Sequence, residues 1–151
     1  MALPRDVSQA ERQSVIAALD YWNASGALGL TLASAPTLSS GPVDGGPPVL
    51  EVRFQGAAGA FHGLYDNARG IVFVNRELSD ALGRAVTVAH ELGHAFGLEH
   101  VDPSERESLM NPGNLRVRPT KQDVTRLRQL WGDCSSQSPL VDSGLPARAL
   151  Q

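Results

Sequence analysis

His90-Glu-Leu-Gly-His-Ala-Phe-Gly-Leu-Glu-His100 (HELGHAFGLEH) holds three of the four histidines in a chain of 151 residues. His90 and His94 stand four apart, one helical turn, so their imidazoles project from the same face. Carrying the helix further would bring Gly97 and Leu98 into the next turn, and neither side chain ligates a cation. Gly97 instead accepts a positive φ and lets the backbone turn sharply. Such a turn swings His100 back under the helix. Three neutral imidazoles with one position left open are the donor set of a catalytic zinc site, not of a closed structural one. Glu91 is then placed beside the ion as general base. Zinc lowers the pKa of a bound water from about 15.7 to about 7 in favourable cases, and a carboxylate can take its proton. That chemistry hydrolyses unactivated acyl bonds, above all peptide bonds. A bare HExxH pair arises by chance on many surface helices. The glycine and the third histidine at their spacing make this one specific, with His62 the only histidine elsewhere.

Downstream, Ser108-Leu-Met-Asn-Pro112 reads as a turn that places the soft, adaptable Met110 thioether beneath the imidazoles. Upstream, a helix should begin between Ser79 and Arg84, bury Val86, Val88, Ala89, Leu92 and Phe96, and stop near Gly97. Before it, GAFHGLYDNARGIVFVN reads as a hairpin with a first arm at Ala60–Tyr65, a turn at Asp66–Gly70 and a second arm at Ile71–Asn75. The second arm is almost continuously apolar and is expected inside the sheet. The first is short and Gly-flanked and is expected at its edge. VLEVRFQ alternates as a half-buried strand, and Leu30–Ala33 is a short strand candidate. Ser8 and Glu11 form a capping box that opens a helix with Val15, Ile16, Leu19 and Trp22 on its apolar face. Pro36–Pro48 is a Gly/Pro/Ser-rich loop. A last helix opens at Thr120, with Asp123 three residues on and Val124, Leu127, Leu130 and Trp131 as its apolar face.

The length suggests one domain, expected at residues 1–133, with a polar tail over 134–151. A net charge of −3 with no basic stripe gives no reason to expect nucleic acid. No apolar run approaches the ~20 residues of a membrane-spanning helix, so no membrane partner is expected. The start, MALPRDVSQAERQ, shows no apolar core of a signal peptide. The single Cys134 excludes an intramolecular disulfide. Its thiol is one candidate to occupy the open zinc position and hold the site latent, although an idle free cysteine is the plainer reading.

HExxHxxGxxH followed by a Met-turn is the signature of the metzincin metallopeptidases, and this chain resembles the matrixins among them. LPRDV (Leu3–Val7), the helix ending in Trp22, LTL at Leu30–Leu32 and EVRF (Glu51–Phe54) are similar to the matrixin opening. AHELGHAFGLEH and SLMNP resemble its catalytic core. QDVTRLRQLWG (Gln122–Gly132) is similar to the closing helix, with Asp123 where the family anchors that helix. The resemblance covers roughly Leu3 to Gly132. It implies an α+β fold: a twisted mixed sheet of about four strands with an active-site helix, a Met-turn and a C-terminal helix. The chain departs from the family in three places. Only Met1 and Ala2 stand where matrixins carry a first strand, so either the chain starts late or the sheet has one strand fewer. Phe54–Ile71 is too short for the matrixin loop that holds a structural zinc and calcium. Asp66 and Asn67, the residues nearest to a calcium site there, fit a turn better. The short hairpin and RQLWG are closer to snapalysin, which however uses aspartate where this chain has His100.

These readings lead to a zinc-dependent endopeptidase that binds one catalytic zinc through His90, His94 and His100, with Glu91 as general base and Met110 as structural Met-turn. An extended protein or peptide substrate would pair with the edge strand at Ala60, Phe61, His62, Gly63 and Leu64. Asn111 and Pro112, in a wall running to Leu115, would border the pocket after the scissile bond. The apolar Leu115 leans that pocket toward apolar side chains. Family resemblance implies a secreted protein, and a monomer is expected. The alternatives are a zinc hydrolase of small peptides or amides and a non-proteolytic metal-binding module. The retained Glu91 argues against the last.

Overall fold

A computed structural model describes residues 1–32, 49–59 and 61–132. Helix α1 spans Gln9–Asn23. The Ser8 hydroxyl accepts from the Glu11 amide at 3.2 Å, and the Glu11 carboxylate accepts from the Ser8 amide at 2.7 Å. Both ends of the predicted capping box are therefore made. The buried face of α1 carries Val15, Ala18, Leu19 and Trp22 and packs on helix α2, Ala81–Ala95. There the Trp22 indole N–H donates to the Ala89 carbonyl at 3.0 Å. Its ring meets Phe96 edge-on.

Strands β1 (Glu51–Gln55), β2 (Gly63–Asp66) and β3 (Ile71–Asn75) form one mixed sheet in the order β1-β3-β2. β3 runs parallel to β1 and antiparallel to β2, with Phe54 opposite Val74 and Gly63 opposite Val74 from the other side. The apolar arm is thus the inner strand and the short arm the edge. Asp66 closes the hairpin: its carbonyl accepts from the Gly70 amide and its carboxylate from the Arg69 amide.

The described sheet has three strands, where about four were expected. Leu30–Leu32 is not a strand. The Asn23 carboxamide accepts from the Leu30 amide at 2.8 Å and donates to the Leu30 carbonyl at 2.9 Å, so a side chain occupies both groups a neighbouring strand would use. Ala33 lies outside the described residues. At the sheet's other margin, Ala2 makes one parallel bridge to β1. The Ala2 amide donates to Leu50 and the Val52 amide donates to Ala2.

Helix α3 spans Lys121–Trp131 behind a second capping box, Thr120 with Asp123. Its apolar face is narrower than the sequence suggests. Leu127 is buried, whereas Leu130 and Trp131 are exposed at 42% and 69%. One hydrophobic cluster runs from Leu3 to Leu127 and joins all three helices to the sheet. No helix among the described residues is long and apolar enough to cross a membrane. The expected tail, and Cys134 in it, lie outside the described residues.

Candidate metal centre

α2 presents His90 and His94 on one face and stops at Ala95, with Phe96 as its C-cap. Gly97 follows at φ +87°, and the Leu98 amide donates back to the Gly93 carbonyl. The chain therefore reverses under the helix end, as the spacing predicted. Val101, one residue past His100, is clipped to the next turn: its amide donates to the Met110 carbonyl, and its carbonyl accepts from the Asn111 carboxamide. His100 Nε2 lies 3.2 Å from His90 Nε2 and 3.1 Å from His94 Nε2.

The other ring nitrogens decide what those three atoms are. His90 Nδ1 lies 2.7 Å from the Leu109 carbonyl and His94 Nδ1 lies 2.9 Å from the Leu98 carbonyl. A carbonyl only accepts, so each Nδ1 carries the hydrogen and each Nε2 presents a lone pair. Protonation does not relieve the crowding of lone pairs. Burial, with the Leu109 contact opposing it and the neighbouring imidazoles adding to it, holds His90 down at about 4. Burial likewise lowers His94. With His100 beside them, these converging imidazoles are a set of donors that can hold a metal ion. His100 is exposed and His94 only half-buried, so the cluster opens to solvent on one side.

Two contacts build the floor beneath this triad. Met110 is fully buried, and a β-carbon placed on Gly93 would sit 2.5 Å from its Sδ. Gly93 in HELGH is thus the residue whose missing side chain lets the thioether pack on the helix. Behind it, the buried Asp123 carboxylate ties α3 to the turn. It accepts from the Ser108 hydroxyl at 2.5 Å, the Leu109 amide at 2.9 Å and the Arg106 guanidinium at 3.0 Å. Leu109 therefore donates its amide to Asp123 and orients His90 through its carbonyl.

Glu91 is buried against the sheet edge. A β-carbon on Gly63 would fall 2.8 Å from Glu91 Oε1 and 2.6 Å from Thr87 Cγ2, so the bare Gly63 backbone of β2 packs directly on these two side chains of α2. Burial pushes the Glu91 carboxyl up to about 7, with the Tyr65 amide opposing it. A carboxyl poised near neutrality beside three imidazoles that could hold a metal ion can accept and return a proton.

Glu91, His90 and His100 line a cleft of about 230 Å³ with His62, Gly63, Pro112 and others. His62, Gly63 and Pro112, expected to meet substrate, thus stand in one cleft with Glu91. Leu64 is exposed on the edge strand. Phe61 is half-buried, and its carbonyl accepts from the Asn75 side chain. Ala60 lies outside the described residues. Asn111 points inward: its carboxamide holds the Ser108 amide and the Val101 and Arg106 carbonyls. Leu115 packs near Gly83 at the start of α2, and Asn114 and Gly113 border the cleft in its place. The sequence reading also passed over Thr87, although its position three residues before His90 puts it on the histidine face.

Neither a known protein-family model nor a curated protein matches this sequence.

Proposed function

We propose that this protein is a zinc-dependent endopeptidase, resembling the metzincins, that hydrolyses peptide bonds in extended substrates. The observation carrying this reading is the convergence of three imidazole Nε2 atoms next to a buried carboxyl at the edge of a sheet. Tetrahedral zinc at ~2.0–2.1 Å from each nitrogen separates its ligands by roughly 3.3 Å, close to the spacing found here. Imidazole also suits copper, iron and nickel. An all-nitrogen triad with an open position, beside a carboxylate base, favours zinc.

Zinc held by His90, His94 and His100 supplies Lewis acidity to a water and to the substrate carbonyl. Glu91 takes the proton from the attacking water and returns it to the amine nitrogen as the peptide C–N bond breaks. The His90 and His94 rings stay in one tautomer and orientation because the Leu109 and Leu98 carbonyls hold their Nδ1 hydrogens. On β2, the His62 carbonyl accepts from the Asn75 amide of β3, so the backbone groups of Gly63 and the Tyr65 carbonyl face the open side, while the Tyr65 amide meets Glu91. An extended peptide laid along them adds a strand and brings its carbonyl to the cleft. That open edge favours protein substrates over a small-amide hydrolase. By the same resemblance the protein is secreted and works as a monomer.

The test is digestion of casein or gelatin by the zinc-loaded protein, with Glu91→Ala and a chelator as controls. Cleavage lost in both controls supports the reading. No cleavage by protein carrying one zinc per chain refutes it and leaves the small-peptide or amide hydrolase and the binding module as alternatives.

A further inference from the structure

Arg84 is 8% exposed, the one buried lysine or arginine among the described residues. Its guanidinium has neutral partners only. Nη1 donates to the Leu78 carbonyl at 2.5 Å and the Ser79 carbonyl at 3.0 Å, and Nε donates to Ser14 Oγ at 3.3 Å. Two buried carboxylates, in contrast, have ion-pair partners: Glu11 meets Arg76 at 2.8 Å and Asp123 meets Arg106 at 3.0 Å. No described carboxylate pairs with Arg84. Buried charges are ordinarily paired. The bonds to Leu78 and Ser79 also hold the guanidinium at the N-terminal end of α2, where the helix dipole favours an anion over a cation. Its third nitrogen, Nη2, has no partner among the described residues, yet it is not sealed. Thr87 Oγ1 is the only fully enclosed side-chain polar atom without a partner among those residues, so Nη2 keeps open surface.

Arg84 lines a cleft of about 500 Å³ between α1 and the start of α2. Arg118 lines it too, with its guanidinium carbon 4.7 Å from the centre of the Tyr21 ring. That stacking holds a second charge over the cleft. No aspartate or glutamate lines it, in a chain with 16 acids against 13 bases. Asp6 and Glu11 border a neighbouring hollow that Arg84 shares, but Arg76 pairs with both. We propose that this cleft is a docking site for an acidic segment of a partner protein, seating a glutamate carboxylate on Arg84 and Arg118. A single side chain can enter between two helices and reach a buried guanidinium, whereas a bilayer or a nucleic-acid backbone meets only the rim. The net charge of −3 also opposes a polyanion. Leu82 and the Tyr21 ring offer apolar surface to the glutamate methylenes. This cleft shares no residue with the one beside the three histidines, so the proposal does not rest on the peptidase reading.

The test is an NMR titration of the isotope-labelled, zinc-loaded full chain. The probes are a short end-blocked peptide with one glutamate between leucines, and its glutamine isostere. The glutamate peptide should shift the Arg84 and Arg118 side-chain signals and the amides of α1 and α2 that line the cleft. The glutamine peptide should bind on the order of tenfold more weakly, the scale of one hydrogen bond between charged groups. Arg84→Met should lose a similar factor. Arg118→Ala changes only the surface and should lose about two- to fivefold. The proposal is overturned by equal affinity for the two peptides, by shifts gathered at the three histidines instead, or by no binding. It is also overturned by native affinity in Arg84→Met or, should that variant not fold, in Arg118→Ala. A short oligonucleotide or an anionic lipid vesicle that binds the cleft more tightly than the glutamate peptide would overturn it as well, because the site would then read phosphate.

Discussion

Replacing Asp123 with asparagine keeps the shape of the side chain and removes its charge. Asp123 is 1% exposed and each of its oxygens is fully engaged. Oδ1 accepts from Ser108 Oγ and Arg106 Nη1. Oδ2 accepts from the Leu109 and Thr120 amides and from Thr120 Oγ1. Whichever way the carboxamide is placed, its NH2 faces donors. Removing one side of a buried charged network costs about 3–5 kcal/mol, within a total stability of ~5–15 kcal/mol. The variant should therefore fold, with a melting temperature lower by roughly 6–20 °C. Acid should close the gap. Burial alone would raise the Asp123 pKa, but the Ser108 hydroxyl, the Thr120 and Leu109 amides and Arg106 outweigh it and hold the carboxyl below its ordinary value. A depressed folded pKa stabilises fully above the unfolded value of ~3.9 and ceases to as pH falls through the folded one. Urea unfolding of both proteins at pH 7 and in steps below pH 4 reads this directly, with chelator present to exclude metal effects. The variant should also bind zinc about 10–100-fold more weakly, because Leu109, whose carbonyl orients His90, loses the anchor on its amide. A variant within about 1 kcal/mol of native at pH 7, or a gap that stays constant through the acid range, would refute the reasoning.

Three further outcomes follow from the site. Glu91→Gln should keep one zinc per chain and lose about 10²–10⁴-fold in peptide hydrolysis; near-native turnover would remove Glu91 from the proton transfers. Zinc at a hundred times its dissociation constant should add about 2.7 kcal/mol of stability, measured as a chelator-reversible rise in melting temperature. His94→Ala should show little of that rise, and an undiminished rise would place the ion elsewhere. Gly63→Ala should lose about 1–3 kcal/mol to overpacking together with activity, because its new methyl meets Thr87 and Glu91; unchanged melting and kinetics would mean that β2 and α2 are not in close contact.

Much of this was legible because the signals were local. The Ser8–Glu11 and Thr120–Asp123 boxes fix helix starts within four residues. The alternation of VLEVRFQ and the solid apolar run of Ile71–Asn75 separate a half-buried strand from an inner one. The spacing from His90 to His100, with Gly97 between, foretold the return of the third imidazole. What stayed hidden depended on partners distant in the chain or on side chains standing in for backbone. Leu30–Leu32 alternates like a strand, but the pattern cannot show that Asn23 takes both backbone groups of Leu30. Ala2 has no pattern at all and still bridges β1. Asn111 was read as part of the pocket wall, whereas three backbone partners draw its side chain inward. The role of Gly93 needed Met110 to be seen beneath it. Thr87 carried a helical-phase signal, but its missing partner is visible only in three dimensions.

The bracketing of His100 separates two events that small zinc domains fuse. In those domains the ion gathers its ligands from an unfolded chain, so loading and folding are one transition. Here two ligands belong to a core helix with both rings set by carbonyls, and the third hangs between Leu98 and Val101, each tied to the body by backbone hydrogen bonds. The vessel is finished by the hydrophobic core before anything is poured into it. Release of the ion then requires opening only the short span around His100, so exchange should run on the timescale of a loop, far faster than global unfolding.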